Sequence, residues 1–409
     1  MLGIPAKPAP NKFLTIDMDS VSIKCLAFFT PEDEPTEFTS IAPDTKAKII
    51  GVAKEYLEPG AIRGGVIIDM DLVEKALRNC IEECTMSQEE PIKDVIFGLS
   101  GNLSLNTITT AKITRPVHTP ITENEMNALY SKITNSAFTQ IENEVLNSTG
   151  DSDIEVELIT SSTVYAKLDN KYVDNPVNQA GNVLELAYYT AFTHSYHVQA
   201  LQKLAKKLGL RIVAIGSEMH AIVNYLKQGK LPHIDCVIIN IDNDFTDVGV
   251  VFGGGMVSTK ALDFGAVDFA NEISQKTGLS FTEAEKFKRT YSYGKLSRTE
   301  ADVVKSCITE IIDMWLEGLK IVFTEFTGVK TFPSKVYLVG DAAELPDIQE
   351  ILDKEPWTKS IAFKAPPTYT KLTLRDLQGV TDSTGTLGSL EYVMNAALSK
   401  IYLEMHGIN

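Results

Sequence analysis

Residues 236–252 read as two apolar runs separated by a polar turn: Cys236, Val237, Ile238 and Ile239 before it, Val248, Val250 and Val251 after it. Residues 13–25 repeat the plan, with a short β-rich run ending at Asp17, a tight turn, and then Val21, Ile23 and Cys25 at alternate positions. Each pattern predicts a β-hairpin, and two such hairpins far apart in one chain predict an internal duplication.

Between and after them the apolar spacing sets the other elements. Leu72, Val73, Ala76, Leu77, Cys80, Ile81 and Cys84 fall at three- and four-residue steps, which predicts a helix with one packed face and Asp71 as its N-cap. A buried strand follows over 94–101, and strand, helix, strand in that order implies a parallel sheet. Residues 102–192 are more polar, with strands near 108–113 and 154–167 around a helix opened by the capping box Thr122/Glu125, then a surface loop over 169–181 and a strand over 183–191. Val198, Leu201, Leu204, Ala205 and Leu208 mark a helix stopped at Gly209, followed by a strand and a connecting helix carrying His220 and Tyr225. The second half opens near Pro232. There Gly253, Gly254 and Gly255 turn the hairpin into a third strand, and helices begin near 265, 280 and 300. The helix from about 300 to 326 carries Val304, Ile308, Ile311, Trp315 and Leu319 and is expected to be mostly buried. A strand from 335 ends at Gly340, and Leu390, Val393, Met394, Ala397, Leu398 and Ile401 predict one last helix.

At 409 residues and 44% apolar composition the chain is long for a single core, so several domains are expected. The formal net charge of -16 argues against general nucleic-acid binding and against adhesion to an anionic membrane surface. No apolar run is long enough for a membrane span, and residues 1–10 lack the core of a signal peptide. Cys25, Cys80, Cys84, Cys236 and Cys307 form no CxxC pair and fit core positions in a reduced cytoplasm. His194 and His197 lie three apart without a third ligand in sequence, which suggests a surface role.

The hairpin over 17–25, Gly-Gly-Val-Ile-Ile-Asp at 64–69, Gly-Leu-Ser-Gly at 98–101, the Asn175-Pro176 loop, Glu283-Ala-Glu285 with Lys288, and Gly340-Asp-Ala-Ala343 follow one another in a recognisable order. That order resembles the bacterial cell-division family FtsA, within the actin, sugar-kinase and heat-shock chaperone superfamily; the pilus assembly family PilM is a close alternative. The resemblance implies an actin-like, ribonuclease H-like α/β fold, duplicated as two lobes around a cleft. It divides the chain at 1–101, 193–232 (first lobe), 102–192 (inserted α/β subdomain), 233–264, 332–409 (second lobe) and 265–331 (its outer subdomain).

It also implies a cleft for ATP and Mg²⁺, formed by Asp17, Asp19, Ser20, Asp242, Asn243, Asp244 and Asp247 at the turns, with Glu285, Lys288, Gly340 and Asp341 on the adenosine side. The superfamily's turns are acid and glycine, because a bare backbone lets phosphate approach the N–H groups. This chain keeps Asp17 but has Asp19, Asp242, Asn243 and Asp244 where glycines belong, and Asn240 where the second acid belongs. Charges about 4 Å apart repel by roughly 4 kcal/mol at an effective dielectric near 20. Two or three such contacts outweigh a micromolar affinity of about 8 kcal/mol. Two readings of the turns stay open: solvated acidic hairpin turns, or carboxylates (Asp17, Asp242 and Asp244 above all) that hold Mg²⁺ with or without nucleotide. Glu285 and Lys288 read equally as adenosine contacts or as an exposed i, i+3 pair.

The function implied is a cytoplasmic scaffold that binds the tail of the tubulin homologue FtsZ through residues within 265–331, recruits other divisome proteins and self-associates into filaments. The alternatives are a PilM-like component of type IV pilus assembly, which binds a peptide of a membrane protein, and an active actin-like ATPase. The last residues, from Leu403, are short and non-basic, so attachment to the membrane is expected only through a partner.

Overall fold

Both hairpins form in the computed structural model, which describes residues 11–31, 45–227, 234–354 and 357–408. The Pro-rich start, the part of the 35–48 stretch up to residue 44 and the boundary at Pro232 lie outside the described residues. In the first sheet Lys12–Met18 pairs antiparallel with Ser22–Phe29, which pairs antiparallel with Ala47–Tyr56. On its other side Lys12–Met18 pairs in parallel with Asp94–Leu99, and that strand in parallel with Arg211–Ser217. The second sheet repeats the order: Gly255–Leu262, Thr246–Phe252 and Cys236–Ile241 form an antiparallel meander, then Lys335–Val339 and Thr368–Lys371 add in parallel. Two five-strand arrangements with the same sequence of pairings are the predicted duplication.

The helix Met70–Cys84 covers the first sheet through Val73, Leu77 and Cys80. Its N-cap is Asp69 and not Asp71: Asp69 is extended (φ -116°, ψ 102°) and its carboxylate accepts from the N–H groups of Asp71 and Leu72. All five cysteines are free and buried, and the thiols of Cys80 and Cys84 donate to the carbonyls of Ile23 and Cys25 on the strand beneath. Over the second sheet lies the helix Arg298–Thr324, with Val304, Ile308, Trp315 and Leu319 buried; Ile311 packs only partly. The Trp315 indole donates to Thr246 Oγ1 at 2.9 Å, fixing helix to strand.

The inserted subdomain is a four-stranded sheet in the order Leu105–Pro120, Ala180–His194, Val156–Leu168, Lys171–Val173. The helix Glu123–Thr149 packs on it behind the predicted Thr122/Glu125 capping box. The expected loop over 169–181 holds the small strand Lys171–Val173, reached by a turn in which Asp169 and Asn170 both take positive φ.

The chain's end returns to the first lobe. Val380–Asp382 pairs in parallel with Ala47, Lys48 and Ile49, and Tyr402 stacks on Phe13 with ring centroids 3.9 Å apart. The single last helix expected from the apolar stripe is instead three short pieces: Leu390–Tyr392, Val393–Ala397 and Ser399–Met405. The Ser399 hydroxyl bonds back to the Ala396 carbonyl where the ladder breaks. These pieces, the connecting helix Glu218–Leu226 and inner residues of both sheets share one apolar cluster that joins the lobes. Among the described residues no helix is long and apolar enough to cross a membrane.

Candidate functional site

Asp17, Lys24 and Lys54 stand opposite one another on three neighbouring strands, so the pleat turns all three to the same face. That face meets the second lobe. Lys24 is fully buried there, and its ammonium lies 3.2 Å from Asp17, 3.3 Å from Asp19, 3.4 Å from Asp242 and 3.0 Å from Asp341. Two of these acids belong to the first lobe and two to the second. Lys54 continues the row, 3.8 Å from Asp341 and 2.6 Å from Glu391, and Arg289 closes it with a 2.7 Å contact to the other oxygen of Glu391.

The turns are not solvated, as one of the two readings expected. Asp17, Asp19, Asp242 and Asn243 are buried, because the turns of the two hairpins meet and bond each other. Asp244 accepts from the backbone N–H of Ser20 at 2.9 Å and from its hydroxyl, and the Asn243 amide donates to Asp19 at 2.9 Å. Within the first turn Asp19 also accepts from the N–H groups of Val21 and Ser22, each at 2.8 Å, and in the second Asp242 accepts from the N–H of Asn243. The carbonyls of Asp242 and Asn243 take the first free N–H groups of the helix Ala266–Thr277. Asp247 reaches to the first lobe as well, accepting from the N–H of Gly101 at 2.9 Å.

A triphosphate needs those turn amides, and the chain's own carboxylates already hold them. On the adenosine side the space between Lys288, Ser292, Asp341, Glu344 and Glu391 is about 10 Å³, roughly room for one water, while Glu285 and Arg289, which also line it, border a larger cavity beside the first turn. Glu285 and Lys288 are not an exposed pair: both are buried, 2.7 Å apart, and Lys288 also donates to the carbonyl of Ala266. The turns therefore offer no free phosphate cradle. For a metal the chemistry differs. Asp17, Glu218 and Asp242 each bring one oxygen within 4.8 Å of the others, a hard-donor set suited to a divalent cation, but Lys24 already contacts two of the three. Asp244, expected among the metal ligands, is spent on Ser20 and lies outside this set.

Burial dominates the electrostatics. It works against the charge of Lys24, but Asp242, Asp341, Asp17 and Asp19 overcome it and hold the ammonium well above the usual lysine range. Burial likewise opposes ionisation of Asp341, yet Lys24 and Lys54 keep its carboxyl well below the usual range. Asp17 and Asp242 go the other way, raised by burial more than Lys24 lowers them, and burial raises Glu218 well above the ordinary value with Asp17 and Asp242 adding to it. Among the described residues neither buried Glu218 oxygen has a hydrogen-bond partner, which suits a protonated acid. Lys24 with Asp341 is thus the ionic core, and the surrounding acids carry fewer charges than their number.

Asp247 gives a measurable consequence. Burial pushes its carboxyl up to about 6, with the Gly101 N–H opposing. The unfolded value is near 3.9, so the stability it contributes is full at low pH and falls by about 3 kcal/mol as pH rises through 6. Asp247→Asn keeps an acceptor for Gly101 and removes the charge. Thermal unfolding should show the variant a few degrees more stable than the parent at pH 8 and equal to it at pH 4; the same gap at both pH values would exclude the charge as cause.

Lys24, Lys54, Glu218, Arg289 and Glu391 were not anticipated as site residues. Lys24 alone left a signal, as a cation between Ile23 and Cys25 in an otherwise apolar strand. His197, expected at the surface, is buried on the helix Ser195–Leu208, and burial lowers it to about 4.

No protein-family model matches the chain, and no curated protein does. Solved structures do. The PilM-PilN type IV pilus biogenesis complex superposes over 98% of this chain and 100% of the other, with a TM-score of 0.64 at 14% identity. The ethanolamine utilization protein EutJ from Carboxydothermus hydrogenoformans covers 97% of this chain and 92% of its own, with a TM-score of 0.48 at 11% identity. MreB5 of Spiroplasma citri bound to AMPPNP reaches 0.44 at 12% identity over 98% of both. At such identities the likeness speaks to architecture alone. With the duplicated sheets and the cleft between them, the likeness to the PilM-PilN complex makes this an actin-like two-lobed fold.

Proposed function

We propose that the chain is a nucleotide-independent scaffold of the actin-like fold, which holds its lobes together with Lys24 in place of bound phosphate and metal and acts by binding a peptide of another protein. The observation that carries this is the Lys24 ammonium, buried within 3.0–3.4 Å of acids from both lobes. An active ATPase needs its turn amides free for phosphate, and fold alone does not confer that chemistry. Calorimetric titration of ATP with and without Mg²⁺ is expected to show no binding up to millimolar nucleotide. Micromolar binding with turnover would replace the scaffold by the ATPase.

Of the two scaffold roles, pilus assembly is favoured by the full-length superposition on the PilM-PilN complex. In that role the partner is a cytoplasmic peptide of a membrane protein, and the chain is held at the inner face of the membrane through it. The cell-division role rests on the FtsA-like motif order and the Asn175-Pro176 loop, and its partner is the FtsZ tail. Immobilised peptides of both kinds separate the roles: capture by a pilus membrane-protein tail and not by the FtsZ tail is the expected result. Self-association belongs to either role, since a head-to-tail contact that does not close gives a filament.

A further inference from the structure

Between the lobes, on the outer side of the first turn, lies a cavity of about 880 Å³ that the lysine cluster does not fill. Ser20 and Val21 of the first turn line it. Leu57, Pro59 and Ile62 line the first-lobe wall, and Val267 and Phe281 face them from the second. Tyr56 and Tyr293 stand at the mouth, 55% and 40% exposed, which is unusual for large apolar side chains gathered around one opening.

The charges at this cleft are uneven. Glu285 is committed to Lys288 and Arg289 to Glu391, and Arg289 also donates to the Tyr56 hydroxyl at 3.2 Å, bridging the lobes at the rim. Lys286 and Lys295 are exposed, and among the described residues no carboxylate pairs with either; Lys295 lies over the Tyr293 ring, 5.4 Å from its centre. The rim therefore presents two uncommitted ammonium groups on a chain whose net charge is -16. An acidic ligand is repelled by the molecule as a whole and drawn to this place.

We propose that this cleft is a docking site for an acidic, apolar peptide segment of a partner protein, its aliphatic or aromatic side chains entering between the walls and its carboxylates meeting Lys286 and Lys295. The proposal rests on the scaffold reading and gives it an address. The size suits several residues of an extended or single-turn segment, and the exposed lining is mostly apolar, with Ser20, Asn271, Thr282 and Thr290 adding polar groups. The rim lysines fix polarity and register, and the apolar walls supply the affinity.

The test uses the full chain and two probes. The first is 8-anilinonaphthalene-1-sulfonate, an apolar anion, whose fluorescence should saturate at one site and weaken by about tenfold or more in Lys286→Glu/Lys295→Glu; an unchanged urea midpoint shows that the variant is folded. The second is a display library of random peptides selected on the parent protein. Enriched sequences should carry aliphatic or aromatic residues beside Asp or Glu, compete with the dye and fail to bind the charge-reversed variant. Dye binding indifferent to the reversal, enrichment of basic peptides, or dye binding with no peptide enriched would each overturn the proposal. These failures leave the scaffold reading standing if ATP still does not bind, whereas ATP turnover sinks that reading whatever the peptides show.

Discussion

Lys24→Met should lower the unfolding free energy by about 3–5 kcal/mol, the cost of removing one partner of a buried ionic group and leaving the rest uncompensated. Methionine fills much the same volume, so the loss reports charge and not a cavity. Asp17, Asp19, Asp242 and Asp341 would remain packed together with Lys54 as the nearest cation, 3.8 Å from Asp341 alone. Urea unfolding measures the change. Adding Asp341→Asn to the same protein should return part of it, because the acid held most firmly ionised by Lys24 is then neutral. Recovery on adding Mg²⁺ to the single variant would show Asp17, Glu218 and Asp242 taking a cation where the ammonium was. A loss below about 1 kcal/mol would mean that the cluster is already neutralised by protons.

Gly340→Ala should be nearly as damaging, at about 3 kcal/mol or more, and for an unrelated reason. Gly340 ends the strand Lys335–Val339 at φ 98°, where an L side chain is strained. A Cβ there would sit 2.5 Å from the Asn240 side-chain oxygen and 2.6 Å from the Ile241 carbonyl, and a backbone carbonyl in a central strand has nowhere to move. Relieving the clash would push Asp341 away from Lys24. Gly253→Ala is the control: its φ is also positive, at 58°, but among the described residues nothing lies within 4 Å of the added atom, so about 1 kcal/mol is expected. Equal losses at the two positions would show that conformational strain alone, and not the fit against the second hairpin, sets the requirement for glycine.

Much of the fold was readable because its signals are local. Period-two runs gave the hairpins, period-four stripes gave the helices over the sheets, and Thr122 with Glu125 announced the inserted subdomain's long helix. The site was readable only in part, because its decisive contacts join residues 218 to 337 positions apart. From sequence the acids at 17, 19, 242 and 244 read either as charge open to water or as carboxylates holding Mg²⁺, and Asp341 as an adenosine-side position. Nothing in a one-dimensional pattern shows that Asp17, Lys24 and Lys54 are cross-strand neighbours, or that Glu391 comes back to meet them. The short last helices illustrate the same limit: the stripe predicts the buried face correctly, but not the break before Ser399, whose hydroxyl bonds the Ala396 carbonyl and the Tyr225 hydroxyl.

The return of the chain's end to the first lobe bears on how the protein can be made and cut. Val380–Asp382 completes the sheet begun by Lys12–Met18, and Tyr402 covers Phe13, so the strand Lys12–Met18 waits for residues 380–402 to be made before its apolar face is sealed. Separate expression of residues 1–227 should therefore give a fragment that exposes Phe13 and Phe28 and aggregates, while co-expression with residues 234–409 should rescue it. The two halves look like repeats but are not interchangeable modules: the molecule is fastened like a belt whose tip passes back through its first loop.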